Sequence, residues 1–311
     1  MTDVVTLGET MAVFTSASVG PLRHATSLTV GAAGAESNMA IGLRRLGASV
    51  AWIGRVGDDE LGQLVLARLR GEDVDVRGAV VDPGAPTGLM VKERRTGTIS
   101  RVHYYRRGSA GSRLGVDDVD EAAIVAARIL HVTGITPALS DTARAAVSRA
   151  VEVARAAGTL VSLDYNYRSA LWSPEEAREV LRVLTARADV VFAGEEETEL
   201  VAGAPTVEAL AALGPREAIV KRGAKGAVAA VGGVVCEAPA VPVRVVDPVG
   251  AGDAFVAAYL AGLLEGHDPE ERLRAACAAG AFAVTVDGDW EGFPTRAELT
   301  LLARPDGTVL R

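Results

Sequence analysis

The sequence predicts an α/β fold: a mostly parallel central sheet with helices on both faces, and a small second sheet beside it. Three observations carry that expectation. Short β-branched runs alternate with alanine-rich amphipathic runs, the pattern of a parallel sheet covered by helices. Two stretches break the alternation: residues 11–33 lack a helix pattern and contain Pro21, and residues 86–107 read as two strands. The third is the segment Asp247-Pro-Val-Gly-Ala-Gly-Asp-Ala-Phe255, which places two glycines and a carboxylate at the mouth of an apolar helix.

Taken in order, strands are expected at Val4–Leu7, Val50–Ile53, Ile129–Val132, Leu160–Leu163, Val190–Ala193, Ala218–Lys221 and Ala227–Val231. Helices are expected at Glu36–Leu46, Leu61–Leu69, Asp141–Ala156, Pro174–Ala186, Val207–Leu213, Ala251–Leu264 and Glu270–Ala283. In the irregular stretch, Thr87–Lys92 and Ser100–Arg107 form strands around a turn at Arg95-Thr-Gly97, and Arg304–Arg311 is an exposed tail. The chain has 311 residues, enough for one large α/β domain or two modest ones.

The composition, 49% hydrophobic and 23% charged, is that of a globular protein. A net charge of −8 disfavours nucleic acid, whose phosphates are bound by basic surfaces. Cys236 and Cys277 lack metal-ligand spacing and read as reduced thiols of a cytoplasmic protein. No apolar run reaches the length of a membrane span, and the start lacks the basic segment of a signal peptide. His24, His103, His131 and His267 are scattered and share no ligand spacing.

The chemistry starts at the apolar helix. Phe255, Val256, Tyr259, Leu260, Leu263 and Leu264 recur at helical spacing, with Gly266 where a C-terminal cap belongs. The first N–H groups of such a helix have no intrahelical partner, and its dipole makes that end positive. Gly250 and Gly252 let an anion approach the backbone, and Asp253 stands in the first turn beside it. A carboxylate next to an anion hole suits a base that takes a hydroxyl proton while a phosphoryl group arrives.

The nine-residue segment resembles the C-terminal signature of the ribokinase/PfkB superfamily of carbohydrate kinases. Ala33-Gly-Ala-Glu-Ser-Asn-Met-Ala40 is similar to its N-terminal signature, and Gly54-Arg-Val-Gly-Asp-Asp-Glu-Leu-Gly62 to its second glycine motif, where Asp58 or Asp59 can cap the next helix. The resemblance implies a ribokinase-like fold in a single domain over 1–311, with a lid from about 11–33 and 86–107. It makes Asp253 the catalytic base, with Gly250, Ala251 and Gly252 beside it in the anion hole. It places Gly34, Glu36 and Asn38 on the sugar, and lays the turn at Lys221, Gly223 and Gly226 along ATP together with Gly250 and Gly252. Glu197 would organise Mg2+ through water, although Gly194 stands where the family has Asn.

Two further stretches narrow the substrate. On a strand, Tyr104 and Arg106 face one way and His103, Tyr105 and Arg107 the other. A guanidinium fork suits a carboxylate, and Arg168 after Asp164-Tyr-Asn-Tyr offers a second one. Both stretches resemble the 2-keto-3-deoxygluconate kinases. Carried over, Tyr104, Arg106 and Arg168 contact a sugar acid, Ile135 lines its pocket and Asp289 closes it, while Met90 stands where relatives often have Tyr. The resemblance also implies a homo-oligomer, either a dimer or an assembly of dimers. A kinase of a neutral sugar would keep Asp253 without needing the arginines, and a non-catalytic sensor would not need Asp253. No Gly-x-Gly-x-x-Gly follows Val4–Leu7, which argues against a dinucleotide-binding dehydrogenase.

Overall fold

The computed structural model describes residues 2–96 and 99–303. Gly97 of the expected turn and the 304–311 tail lie outside them. The strands are β1 (Val4–Leu7), β2 (Met11–Ser16), β3 (Leu28–Ala33), β4 (Val50–Gly57), β5 (Ala79–Asp82), β6 (Leu89–Arg94), β7 (Ser100–Tyr105), β8 (Ile129–Thr133), β9 (Leu160–Asp164), β10 (Val190–Gly194), β11 (Glu217–Lys221), β12 (Ala227–Val231) and β13 (Val234–Ala238). The helices are α1 (Ala35–Arg45), α2 (Glu60–Gly71), α3 (Glu121–Ala126), α4 (Asp141–Ala157), α5 (Pro174–Thr185), α6 (Glu195–Ala202), α7 (Val207–Ala211), α8 (Ala251–Glu265) and α9 (Pro269–Ala283).

Nine strands form the main sheet, in the order β13-β12-β11-β10-β9-β8-β1-β4-β5. From β11 to β5 neighbours run parallel; β12 and β13 close one edge antiparallel. The chain winds outward from β1 in both directions, so the strand order reverses between β1 and β8. Open α/β sheets bind ligands at such a reversal, beyond the carboxyl ends of the strands.

The period of two along each strand divides the core. Val4, Phe192 and Ile219 pack on one face with Met39, Leu43, Tyr259 and Leu260. Val5, Leu7, Leu130, Leu163 and Val191 pack on the other with Val147, Leu181 and Leu210. Each such side chain, fully buried, contributes about 1.5–3 kcal/mol. Helix α8 is buried from Ala254 to Gly262, and Gly266 ends it in the left-handed region (φ +79°), as its sequence position implied.

The second sheet has the order β3-β2-β6-β7. Its pairs are antiparallel except β2–β6, which is parallel. The expectation of a strand through Arg107 is corrected: β7 stops at Tyr105, because the chain turns at Gly108 (φ +73°). Asp59 caps α2 through Gly62 N–H (2.7 Å) and also accepts from Thr87 N–H (2.8 Å) and its hydroxyl (2.7 Å). One carboxylate thereby fixes the residues leading into β6 to the core.

Candidate active site

A cavity of about 800 Å3 opens at the strand-order reversal. Its walls come from the segments after β1, β8, β9, β10 and β11, from the start of α8, and from β6 and β7 of the small sheet. That volume suits a small ligand buried on most sides.

One end is built on α8. Gly250 is the N-cap residue, with φ +79°. A Cβ there would fall onto the Asp289 carbonyl oxygen, so glycine is required both by conformation and by space. The helix begins at Ala251, and Gly250, Gly252 and Asp253 line this end of the cavity, while Ala251 does not. The Asp253 carboxylate accepts from the Asn38 side-chain amide at 2.8 Å. Asn38 in turn accepts from Gly34 N–H (3.3 Å), so the entry of α1 orients the carboxylate of α8. Burial pushes the Asp253 carboxyl up to about 7; Asp164 adds to this, while Asn38, Lys221 and Arg168 oppose it.

Lys221, at the end of β11, donates to both Asp164 oxygens at 2.8 Å. Burial alone would pull the lysine down, but Asp164, Glu197 and Asp253 outweigh it and hold the ammonium above its ordinary range. A cation and helix N–H groups thus converge beside Asp253, as an incoming anion requires.

Glu197 lines the same wall. Its two oxygens accept Tyr167 N–H (2.7 Å) and Gly194 N–H (2.6 Å). Among the described residues no group of three or more His, Cys, Asp or Glu could hold a metal ion. Glu197 and Asp164 are the carboxylates on this wall that would face the water shell of a Mg2+ carried by phosphate oxygens. Gly223 and Gly226 do not line the cavity. Gly226 (φ +95°) is required by the turn between β11 and β12, where a Cβ would strike the Ala238 carbonyl oxygen.

Gly34, Asn38, Tyr104, Arg106, Ile135, Arg168 and Asp289 line the same cavity, Asn38 and Asp289 beside the start of α8. Val102 and Tyr104 share the inward side, as alternation predicts, and Met90 stands opposite Tyr104; the expectation that Arg107 faces away is corrected, because the strand ends at Tyr105 and Arg106 and Arg107 both line the cavity. Glu36 is corrected: it is not on the wall. Its carboxyl is fully buried, accepts the Thr133 (2.7 Å) and Thr136 (2.6 Å) hydroxyls, and packs against Gly8. Burial raises its pKa against those hydrogen bonds. Its role is to hold the segment after β8.

Arg106 is not free to give its whole fork to a ligand. Its Nε (2.7 Å) and Nη2 (2.6 Å) both donate to Glu9 Oε2, and Ser109 donates to the other Glu9 oxygen. Glu9 is 2% exposed, enclosed by Gly34, Gly88 and Gly111 at positions where a Cβ would strike it. Arg168, exposed at the rim, donates a 3.4 Å bond to the Tyr167 carbonyl oxygen and no other hydrogen bond among the described residues.

The sequence reasoning missed Glu9, Lys92, Asp164, Asn166 and Asp247. Asp164 carried a signal, a carboxylate ending an apolar strand. Asn166 has φ +40°, a conformation that Asn tolerates better than most residues. Glu9 and Lys92 carried none, because their partners lie far along the chain.

Residues 1–296 match the pfkB family carbohydrate kinase. The chain is 40% identical over 306 residues to a 2-dehydro-3-deoxygluconokinase of Thermoproteus tenax, covering 96% of this chain and 93% of that protein. It is 37% identical over 319 residues to a 2-dehydro-3-deoxygluconokinase of Bacillus subtilis, covering 99% and 97%. A ribokinase II from E. coli, solved in complex with ATP and Mg2+, superposes with a TM-score of 0.90 at 30% identity, covering 97% of this chain and 99% of that one. The chain belongs to the PfkB family of carbohydrate kinases.

Proposed function

Starting from that membership, we propose that this kinase transfers the γ-phosphoryl group of ATP to the terminal hydroxyl of 2-keto-3-deoxygluconate, giving 2-keto-3-deoxy-6-phosphogluconate. The observation that carries the reading is one cavity with Asp253 at a helix N-terminus and the guanidinia of Arg106 and Arg168 along its wall. The names of the Thermoproteus and Bacillus relatives support the same substrate.

In this reading Asp253 takes the hydroxyl proton as the substrate oxygen attacks the γ-phosphorus. The bond to the bridging oxygen breaks, and ADP leaves with its electron pair. A carboxylate with a pKa of about 7 is well matched to that task near neutral pH. The amides of Gly250, Ala251, Gly252 and Asp253 and the Lys221 ammonium stabilise the charge on the transferring group. Mg2+, when bound, neutralises charge on the phosphate oxygens. The turn holding Gly223 and Gly226 follows Lys221 directly and lies along the nucleotide. Gly34, Tyr104, Ile135 and Asp289 enclose the sugar, and Arg168 and Arg106 face its carboxylate. Lid closure excludes water that would otherwise accept the phosphoryl group. The enzyme acts in the cytoplasm as a homo-oligomer, for which the exposed apolar residues Leu28, Val30 and Tyr105 of the lid strands offer a surface.

One observation favours a second reading. Glu9 neutralises Arg106, as a neutral sugar such as fructose or ribose would tolerate. ADP release with ATP and Mg2+ separates the two, tested against 2-keto-3-deoxygluconate, 2-keto-3-deoxygalactonate, gluconate, fructose and ribose. Preference for a keto-deoxy acid is expected. Preference for fructose or ribose would overturn the sugar-acid reading, and no turnover would favour a non-catalytic sensor.

A further inference from the structure

Lys92 projects from β6 of the lid sheet and is 4% exposed. Its ammonium meets the Asp289 carboxylate directly and lies 3.7 Å from Asp247. Burial would pull Lys92 down, but Asp289, Asp247 and the nearby Glu291 outweigh it, so the ammonium stays protonated. The two carboxylates belong to the two segments that define the start of α8. Asp247 accepts Val249 N–H (3.1 Å), shaping the turn that leads to Gly250. The backbone oxygen of Asp289 sits where a Gly250 Cβ would be. Lys92 thus joins three segments: a lid strand, the turn before the anion hole, and the loop packed against its first glycine.

Stability alone does not account for such a lysine. A buried ion pair recovers little more than its desolvation cost, and apolar residues of similar volume usually serve a core as well or better. The neighbouring position on the same face of β6 is Met90, which fills its place with apolar bulk. A cation is useful here for another reason. Asp247 and Asp289 put two negative charges beside the place where a triphosphate must approach, and an ammonium between them removes that repulsion while fixing both backbones. We infer that Lys92 is a positioning residue for phosphoryl transfer, an internal counter-cation that ties the lid strand to the Asp247–Gly250 turn and the Asp289 loop and so sets the geometry of the anion hole.

The inference rests on Gly250–Asp253 being the anion hole. Its test is turnover of the full-length Lys92→Ala protein, with the best sugar from the substrate panel, in choline chloride and then in potassium, ammonium or methylammonium chloride at equal ionic strength. A misplaced anion hole should lower kcat by about 10²-fold in choline, with sugar KM changed far less. A small cation entering the vacated space should restore activity several-fold beyond any effect of the same salt on the parent enzyme. Near-parental kcat in choline overturns the inference, and so does a folded, ATP-binding variant that no cation restores. If Lys92→Ala does not fold, Lys92→Gln keeps the stem and a donor without the charge. A kcat loss of about tenfold or more then supports the inference, and parental turnover overturns it. Asp253→Asn is the control. If it is fully active, the anion-hole reading itself fails; if it is inactive while Lys92→Ala is unimpaired, only the role of Lys92 fails.

Discussion

At the phosphoryl end of the cavity the chain works with backbone: a helix start, a glycine in the left-handed region and one carboxylate three residues later. At the sugar end it works with an ion pair between side chains far apart in sequence, Glu9 with Arg106, which joins the lid to the core. The first construction is local, so a nine-residue string carries it. The second depends on the tertiary fold, so a cation's partner decides how much of it is left for a ligand. The phosphoryl end should therefore govern turnover for any substrate, and the sugar end should govern which substrate is turned over.

The largest effect that could break this division is at Asp253. Asp253→Asn should lower kcat by roughly 10²–10⁴-fold while ATP affinity, measured by calorimetry, stays near parental. Near-normal turnover would remove Asp253 as the base. The same substitution should raise the melting temperature at pH 8. Folding lifts the Asp253 pKa from its ordinary value to about 7, so the fold disfavours the ionised form. This group's contribution to stability is full below about pH 4 and is lost as pH rises through about 7, and Asn escapes that loss.

Gly250→Ala comes next. The new methyl group would meet the Asp289 carbonyl oxygen at a φ that alanine avoids. A lower melting temperature and a kcat loss of about 10²-fold are expected. Parental values for both would mean that the helix start tolerates displacement.

A pH profile sharpens the comparison from the chemical side. With Asp253 as the proposed base, activity would need the ionised carboxylate, so kcat/KM should fall by about tenfold per pH unit below about 7. A flat profile between pH 5 and 8 would contradict the burial-raised base.

The smaller effect is at Glu9. Glu9→Gln loosens Arg106 without removing it, so sugar KM should change by about tenfold with kcat nearly unchanged. Equal changes in sugar KM and ATP KM would show that Glu9 supports the fold rather than the sugar end.

Most of the fold was legible because strand and helix periods are local. Val4–Leu7 and Ala227–Val231 fall where their β-branched runs place them. Edge strands β5 and β13 escaped notice: Ala79–Asp82 is short and mostly only part-buried, and Val234–Ala238 is mostly exposed, so neither shows the buried apolar run of a central strand. Asp253, Gly250 and Lys221 stand together in the cavity as the motifs implied. Glu36 was misplaced because a carboxylate at a helix entry near a ligand looks the same in sequence whether it faces the cavity or the threonines behind it. The engagement of Arg106 by Glu9 was invisible for a different reason: 97 residues separate the partners, and only the closure of the lid sheet over β1 joins them.

The division itself is tested most directly by the ratio of kcat/KM for 2-keto-3-deoxygluconate to that for fructose, measured in the parent enzyme and in Arg168→Ala. The ratio should collapse by about tenfold or more through loss on the sugar acid alone, since a charge-assisted contact to its carboxylate disappears. An unchanged ratio, or equal losses on both sugars, would contradict the assignment of the sugar end as the reader of the carboxylate.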